Sequence, residues 1–176
     1  MVDLQALVQS ELEQNPLLEE VAHPSAEPTA AAVVNIAGTL VLPDLILRQV
    51  GTEYVVTINH TPIPQLRISE NYESVLAQAG ESAEVRNYVR AKNQAAKRLI
   101  ESLEQRQKVL LMIGRAIIEF QRDFLENRSR DRITPMPLSR IAVPSGLEET
   151  AAVRSLLNKY IETPFGFFEL AYFFLN

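Results

Sequence analysis

Apolar residues recur with a helical period from Ser82 to Asn127. Leu99, Leu103, Leu110, Ile113, Ile117, Phe120 and Phe124 alternate in steps of three and four, with Arg106 in the one remaining slot. That spacing predicts a single helix face. A second line, Ile100, Leu111, Ile118 and Leu125, lies beside the first and widens the stripe. The width suits a helix packed into a globular bundle better than a two-stranded coiled coil, whose seam is narrower. Upstream, Val85, Tyr88, Val89, Ala95 and Ala96 continue the face. The run fits one long helix or, because helices of this length are unusual, two antiparallel helices breaking near Glu104–Lys108.

Shorter patterns flank it. Leu4, Leu7, Val8 and Leu12 share a face, so Asp3 to Gln14 reads as an amphipathic helix ended by Asn15-Pro16. Leu17 and Leu18 then read as an apolar tail tucked under the helix end. Val21 to Thr39 lacks periodicity and large side chains, which predicts a linker with little order. Ile46 to Val50 and Tyr54 to Ile58 read as strands around Gly51-Thr52, where glycine at the first turn position suits a tight hairpin. Pro62 and Pro64 stop any strand beyond. A lone hairpin is marginal, so it is expected to pack on the helices. Ser69 to Ala79 reads as a helical segment capped by Ser69 and stopped by Gly80. Arg128 to Pro137 reads as a polar loop.

Leu138 to Tyr160 has the outline of a helix-turn-helix: Leu138, Ile141 and Ala142 on the first helix, Gly146 at the turn, and Glu149 to Asn158 as a second helix burying Val153 and Leu157. Tyr160 to Asn176 is dense in aromatics and reads either as a core-capping segment or as a partner-binding patch. The expected fold is mainly α: a helical bundle with a small β-hairpin, followed by a helix-turn-helix-like helical segment.

Charge is segregated along the 176 residues, whose formal net charge is −5. Met1 to Gly38 carries six acids and no Lys or Arg. Ser82 to Arg132 carries twelve basic residues against seven acids, a balance of +5. Gly146 to Asn176 carries only Arg154 and Lys159 against four acids, a balance of −2. The chain has no cysteine, which excludes disulfides and Cys-ligated metals and fits a reducing compartment. No apolar run reaches the length of a membrane span and no basic-then-apolar leader opens the chain, so a cytoplasmic protein without membrane contact is expected. His23 and His60 are isolated, the glycines form no phosphate-cradling loop, and the Glu19-Glu20 and Glu148-Glu149 pairs read as solvated. Nothing here forms a catalytic constellation, and neither enzyme activity nor a cofactor is expected.

The segment Asn158-Lys159-Tyr160, continuing through Thr163-Pro164-Phe165-Gly166 to Phe168-Glu169-Leu170-Ala171-Tyr172-Phe173-Phe174, closely resembles "NKY-x-x-TPRG-x-FELKYFF" of the alternative bacterial sigma factors called sigma-N or sigma-fifty-four. Ile141 to Leu147 resembles the family's "IA-x-x-x-GL", Gln121 to Leu125 its "Q-x-x-FF", and Leu99 to Arg106 its "LI-x-x-LEQR". Leu42-Pro43-Asp44 and Pro64 to Ile68 resemble "IPD" and "P-x-LRI", and Glu11 to Glu20 the end of the family's first region. The likeness runs nearly the full length, in order.

The resemblance implies a transcription-initiation factor that binds core RNA polymerase and promoter DNA and is remodelled by an ATP-dependent activator. It divides the chain into the end of a regulatory region (1–20), a linker (21–41), a core-binding domain (42–131) and a helix-turn-helix-like segment (132–176). It assigns DNA contact to Arg154 and Lys159. Polymerase contact it assigns to Asn15, Pro16, Leu17 and Leu18, to Arg86, Arg90 and Arg106, and to Gln121 and Arg122.

Departures from the pattern remove cations and hydroxyls. The family's "HESTVSR" reads Glu148 to Arg154, its TPRG arginine is Phe165 and its FELK lysine is Ala171, while Pro144 falls in the last turn of the first helix, where proline is costly. Weakened DNA contact is therefore expected. The alternative expectation is a polymerase-binding module that directs no promoter choice.

Overall fold

The structure, a computed structural model, describes residues 4–21, 34–36, 39–61, 63–69 and 83–174. The long stripe forms one continuous helix, α2 (Ala83–Phe120), with no break at Glu104–Lys108. The interruption comes at Gln121, after which α3 (Arg122–Asn127) begins. Val89, Ala96, Leu103, Leu110, Ile117 and Phe124 are all buried, one every seventh residue. The expected face thus holds from Val89 onward, whereas Val85 (40% exposed) and Tyr88 (58%) are open at the start of α2 and Ala95 is also exposed.

Two compact units divide the chain: residues 1–26 with 60–105, and 27–59 with 106–176. In the first, α1 (Leu4–Gln14) places Val8 against Ile63 and Leu103, with Leu4, Leu12, Leu66 and Leu99 around them. The apolar tail is indeed buried, but Leu18 is also the start of a strand. β1 (Leu18–Glu20) pairs antiparallel with a strand, Leu66–Ile68, in the register Leu18↔Ile68 to Glu20↔Leu66. The helical segment expected over Ser69 to Ala79 lies, beyond Ser69, outside the described residues.

The second unit is a helix-on-sheet layer. β2 (Val34–Ile36) and β3 (Thr39–Val41) form a small antiparallel pair inside the stretch expected to lack order. β4 (Leu45–Val50) and β5 (Glu53–Ile58) form the expected hairpin, turning on Gly51 at φ 64, a conformation glycine adopts without penalty. β6 is the Leu66–Ile68 strand of the first unit. β7 (Tyr160–Thr163) and β8 (Gly166–Glu169) form a second hairpin, which the helical expectation for 132–176 did not include. β7 docks parallel on β4, with Leu45 opposite Ile161, so the sheet runs β5-β4-β7-β8. Leu45 and Leu47 on this sheet share one core with Leu110, Ile113, Ile117, Phe124, Ile161 and Phe168. The face expected to meet other helices therefore meets a sheet, and the protein is mixed in character although its helices dominate. Gly114 makes the layers close: a Cβ there would stand 2.6 Å from Val56 Cγ2. Helical glycine costs about 1 kcal/mol relative to alanine, which this approach offsets.

The helix-turn-helix outline is present but shorter. α4 (Ser139–Ser145) contains Pro144 and ends on Gly146 at φ 66, where left-handed backbone closes the helix. α5 (Glu149–Leu156) stops two residues before the expected end. It buries Ala152 and Leu156 rather than Val153 and Leu157. Leu157 is 44% exposed and extended, because the turn into β7 takes over there.

Candidate nucleic-acid and polymerase interface

Three separated motifs converge on one carboxylate. Arg106 Nη2 donates to Asp44 Oδ1 at 2.7 Å, and the Tyr160 N–H donates to Asp44 Oδ2 at 3.1 Å. Asp44 N–H in turn donates to the Tyr160 carbonyl, and Asn59 N–H to the Asp44 carbonyl. This explains the charged slot in the apolar stripe: Arg106 reaches from α2 to the start of β4 and ties both to β7. Arg48 and Glu162 add an ion pair at 2.8 Å across the same parallel strands. The Tyr160 hydroxyl is raised above its ordinary value by burial, and further by the negative charges of Glu169 and Asp44.

The Thr163-Pro164-Phe165-Gly166 segment is the tight turn between β7 and β8. Thr163 Oγ1 donates to the Gly166 carbonyl at 2.8 Å and accepts from Phe165 N–H at 3.2 Å, and Gly166 sits at φ 140. Thr163 and Gly166 thus build the turn, and the Phe165 side chain takes no part in its hydrogen bonds. Here Phe165 points into the unit, edge-on to Phe124 at 6.1 Å and to Tyr54 at 6.4 Å. Ala171 is buried as well. At the other end of the hairpin, Asn158 takes φ 53, its N–H donates to Glu169 Oε1 at 3.0 Å, and Leu170 N–H donates to the Lys159 carbonyl. The aromatic tail is therefore mainly core: Phe168, Phe173 and Phe174 are buried, and only Tyr172 among the described aromatics of 165–174 is exposed.

Of the residues expected to meet DNA, Arg154 is exposed in the last turn of α5, and Lys159 is half-buried with Nζ donating to the Asn158 carbonyl at 3.3 Å. Of those expected to meet polymerase, Arg86, Arg90 and Arg122 are exposed, Arg122 pairing with Glu126. Arg106 is engaged by Asp44. Gln121 is buried, donating through Nε2 to the Thr134 carbonyl and accepting Thr134 N–H on Oε1, which holds the polar loop against the helix junction. In the first unit Asn15, Leu17 and Leu18 are buried and Pro16 is exposed. Asn15 Nδ2 donates to the Lys92 carbonyl at 3.0 Å, and its Oδ1 accepts Leu17 N–H at 3.2 Å.

Sequence reasoning missed Asp44, Tyr160 and Glu169 as organising residues. The signal was available only as motif membership, since nothing local marks their partners. It also passed over three arginines that stack on rings: Arg128 over Phe165, Arg130 over Phe168 and Arg140 over Phe120. Among the described residues no cluster of His, Asp and Glu could hold a metal ion, and no helix is long and apolar enough to cross a membrane.

A family model described as "Sigma-54, DNA binding domain" matches residues 86–176. The RNA polymerase sigma-54 factor of Vibrio anguillarum is 40% identical over 134 residues, covering 76% of this chain and 27% of that protein. That of Azotobacter vinelandii is 32% identical over 164 residues, covering 93% and 32%. The Escherichia coli factor is 36% identical over 134 residues, covering 76% and 28%. The chain thus spans about three-tenths of the length of these relatives. The crystal structure of Aquifex aeolicus sigmaN bound to promoter DNA is similar at a TM-score of 0.58 and 19% identity, covering 98% of this chain and 52% of that one. At that identity the likeness concerns the fold.

Proposed function

The chain belongs to the sigma-54 family, and we propose that it acts as a sigma-N-type factor, binding core RNA polymerase and bringing it to promoter DNA without catalytic groups of its own. The observation that carries the reading is the match of residues 86–176 to the family's DNA-binding domain, over a stretch that contains both α4–Gly146–α5 and the Asp44-linked strand β7. Arg154, exposed on α5, and Lys159 at the foot of the hairpin are the DNA-facing cations of the helix-turn-helix segment. The remodelling partner is an ATP-dependent activator.

Polymerase contact falls on residues 42–131, whose α2 and α3 carry exposed Arg86, Arg90 and Arg122, and on the exposed Pro16 turn. Asn15, Leu17, Leu18, Arg106 and Gln121 serve that contact by fixing the shape of what is presented. The +5 balance of Ser82 to Arg132 favours encounter with an acidic surface. A pull-down of core polymerase by the full chain, followed by transcription from a sigma-54-type promoter with activator and ATP, tests the proposal. Retention with promoter-dependent transcript is expected, and loss of retention at low salt refutes it.

A second reading, a polymerase-binding module that selects no promoter, is favoured by one observation. Of the two positions where the family carries a cation, Phe165 packs half-buried against the core here and Ala171 is buried in it. Retention without promoter-dependent transcript is its signature.

A further inference from the structure

The loop that follows α3 carries more cationic character than its ion pairs use. Arg122 pairs with Glu126 at 3.3 Å and Arg132 with Asp123 at 3.5 Å. Arg128 and Arg130 have no ion-pair partner among the described residues. Both are exposed; Asp131 is the one acid within the loop itself left to balance them, and Arg128 also borders a cleft that Glu53 and Glu119 line. Instead their guanidiniums lie over aromatic rings of the β7–β8 hairpin. Arg128 Cζ is 5.5 Å from the Phe165 centroid and Arg130 Cζ is 5.0 Å from that of Phe168. Arg130 Nη2 also lies 3.6 Å from where a Cβ on Gly166 would stand, so the guanidinium is held against the turn itself.

A guanidinium stacked on a ring keeps its N–H edge free and loses little further entropy on meeting a planar anion. Phosphate is the anion that such a fork fits in pairs of hydrogen bonds. The backbone at Arg128 supplies an independent observation. It sits at φ 55, ψ 27, the left-handed closing position of α3, where glycine or asparagine is favoured. A long cationic side chain stands at a position whose backbone disfavours it.

We infer that Arg128 and Arg130, stacked on Phe165 and Phe168, form a phosphate clamp that grips the backbone of duplex DNA independently of its sequence. The inference rests on the DNA-binding reading above but not on promoter choice. It also relocates charge: Phe165, standing where the family motif has arginine, becomes the platform for an arginine supplied by another segment. Phe165 and Phe168 are positioning residues in this account.

The test is duplex affinity of the full chain, read by fluorescence anisotropy on a promoter duplex and on a scrambled one across a salt series. Arg128→Gly and Arg130→Gln are each expected to weaken both duplexes equally, by about five- to tenfold near 0.1 M salt, and to lower the salt slope by about one unit. Arg128→Lys keeps the slope. Thermal unfolding separates binding from packing, because Arg128→Gly relieves the left-handed backbone and is expected to leave the melting midpoint unchanged or raised.

Parent-like slopes in both charge-removing variants overturn the inference, as does a parent that binds neither duplex at low salt. Variants that lose core polymerase in a pull-down while keeping DNA would assign the arginines to an acidic protein surface instead. Failure of the sigma-factor reading looks different: no promoter preference with polymerase present, while the slope losses on scrambled duplex persist.

Discussion

In the first unit the buried tie between α2 and the N-terminal segment is a neutral amide, beside an exposed bond from Lys92 Nζ to the Gln14 carbonyl, and in the second α2 is tethered to the sheet by a carboxylate. Asn15 and Asp44 both adjoin a proline; Asn15 opens the turn that leads into β1, and Asp44 directly precedes β4. Asn15 is fully buried and reads only main chain, the Lys92 carbonyl and the Leu17 N–H. Asp44 is 12% exposed in its side chain and depends on the Arg106 side chain as well as on the Tyr160 N–H. The contrast follows from surroundings. The first unit has a small apolar cluster, and a buried charge there would lack enough compensating bonds. The second has a large core beside which a partly solvated ion pair is tolerated. A neutral tether places no demand on its partner's identity; a charged one couples two distant positions of the sequence.

The largest difference between the units is expected when the large core is disrupted. Ile117 is fully buried between α2 and the sheet, and Ile117→Asp leaves an unpaired charge there, costing several kcal/mol, on the order of a whole domain's stability. Hydrogen exchange should show loss of protection in β4 and β7 but retained protection in β1 and its partner strand. Loss in both would mean that the two units fold as one.

A middle-sized effect sets the tethers against each other. Asn15→Ala and Asp44→Ala should each cost about 1–3 kcal/mol in denaturant titration, by stranding buried polar partners. Only the second should shrink in high salt, because only it removes a charge–charge contact. A double-mutant cycle with Arg106→Ala measures the coupling, and a value near zero would mean that Asp44 acts through the Tyr160 amide alone.

The smallest effect is a pH dependence confined to the charged tether. The Tyr160 hydroxyl is raised from 10.0 by burial, then by Glu169 and Asp44. The folded state therefore holds that proton where the unfolded chain releases it. This contribution is fully present below about pH 10 and is lost as the pH rises through the raised value. Tyr160→Phe should flatten the alkaline limb of the stability curve, whereas an unchanged limb would assign it to other groups.

Local patterns were legible in the sequence because a period is written within a few residues. The buried face that runs along α2 from Val89 and on to Phe124 of α3, the Gly51-Thr52 turn and the Gly146 stop were all readable from spacing and residue type. The DNA-binding family was readable too, through the order of its motifs. The C-terminal hairpin was not, because its four-residue strands give too short an alternation to stand out from an aromatic-rich tail. The one-residue difference in α5's buried positions arose because its short span leaves the register to packing.

Most segments and their apolar faces follow from local spacing, since they depend on neighbours three or four residues away. What covers them depends on contacts between distant parts of the chain. The parallel pairing of β4 with β7 joins Leu45 to Ile161, and no periodicity spans that separation. The same pairing gives Asp44 its two partners, turns Arg106 from an apparent flaw in the stripe into the tie between helix and sheet, and carries Phe165 into the core beneath Arg128. Such pairings depend on the sum of burial over distant segments, a quantity that exists only once the chain has closed on itself.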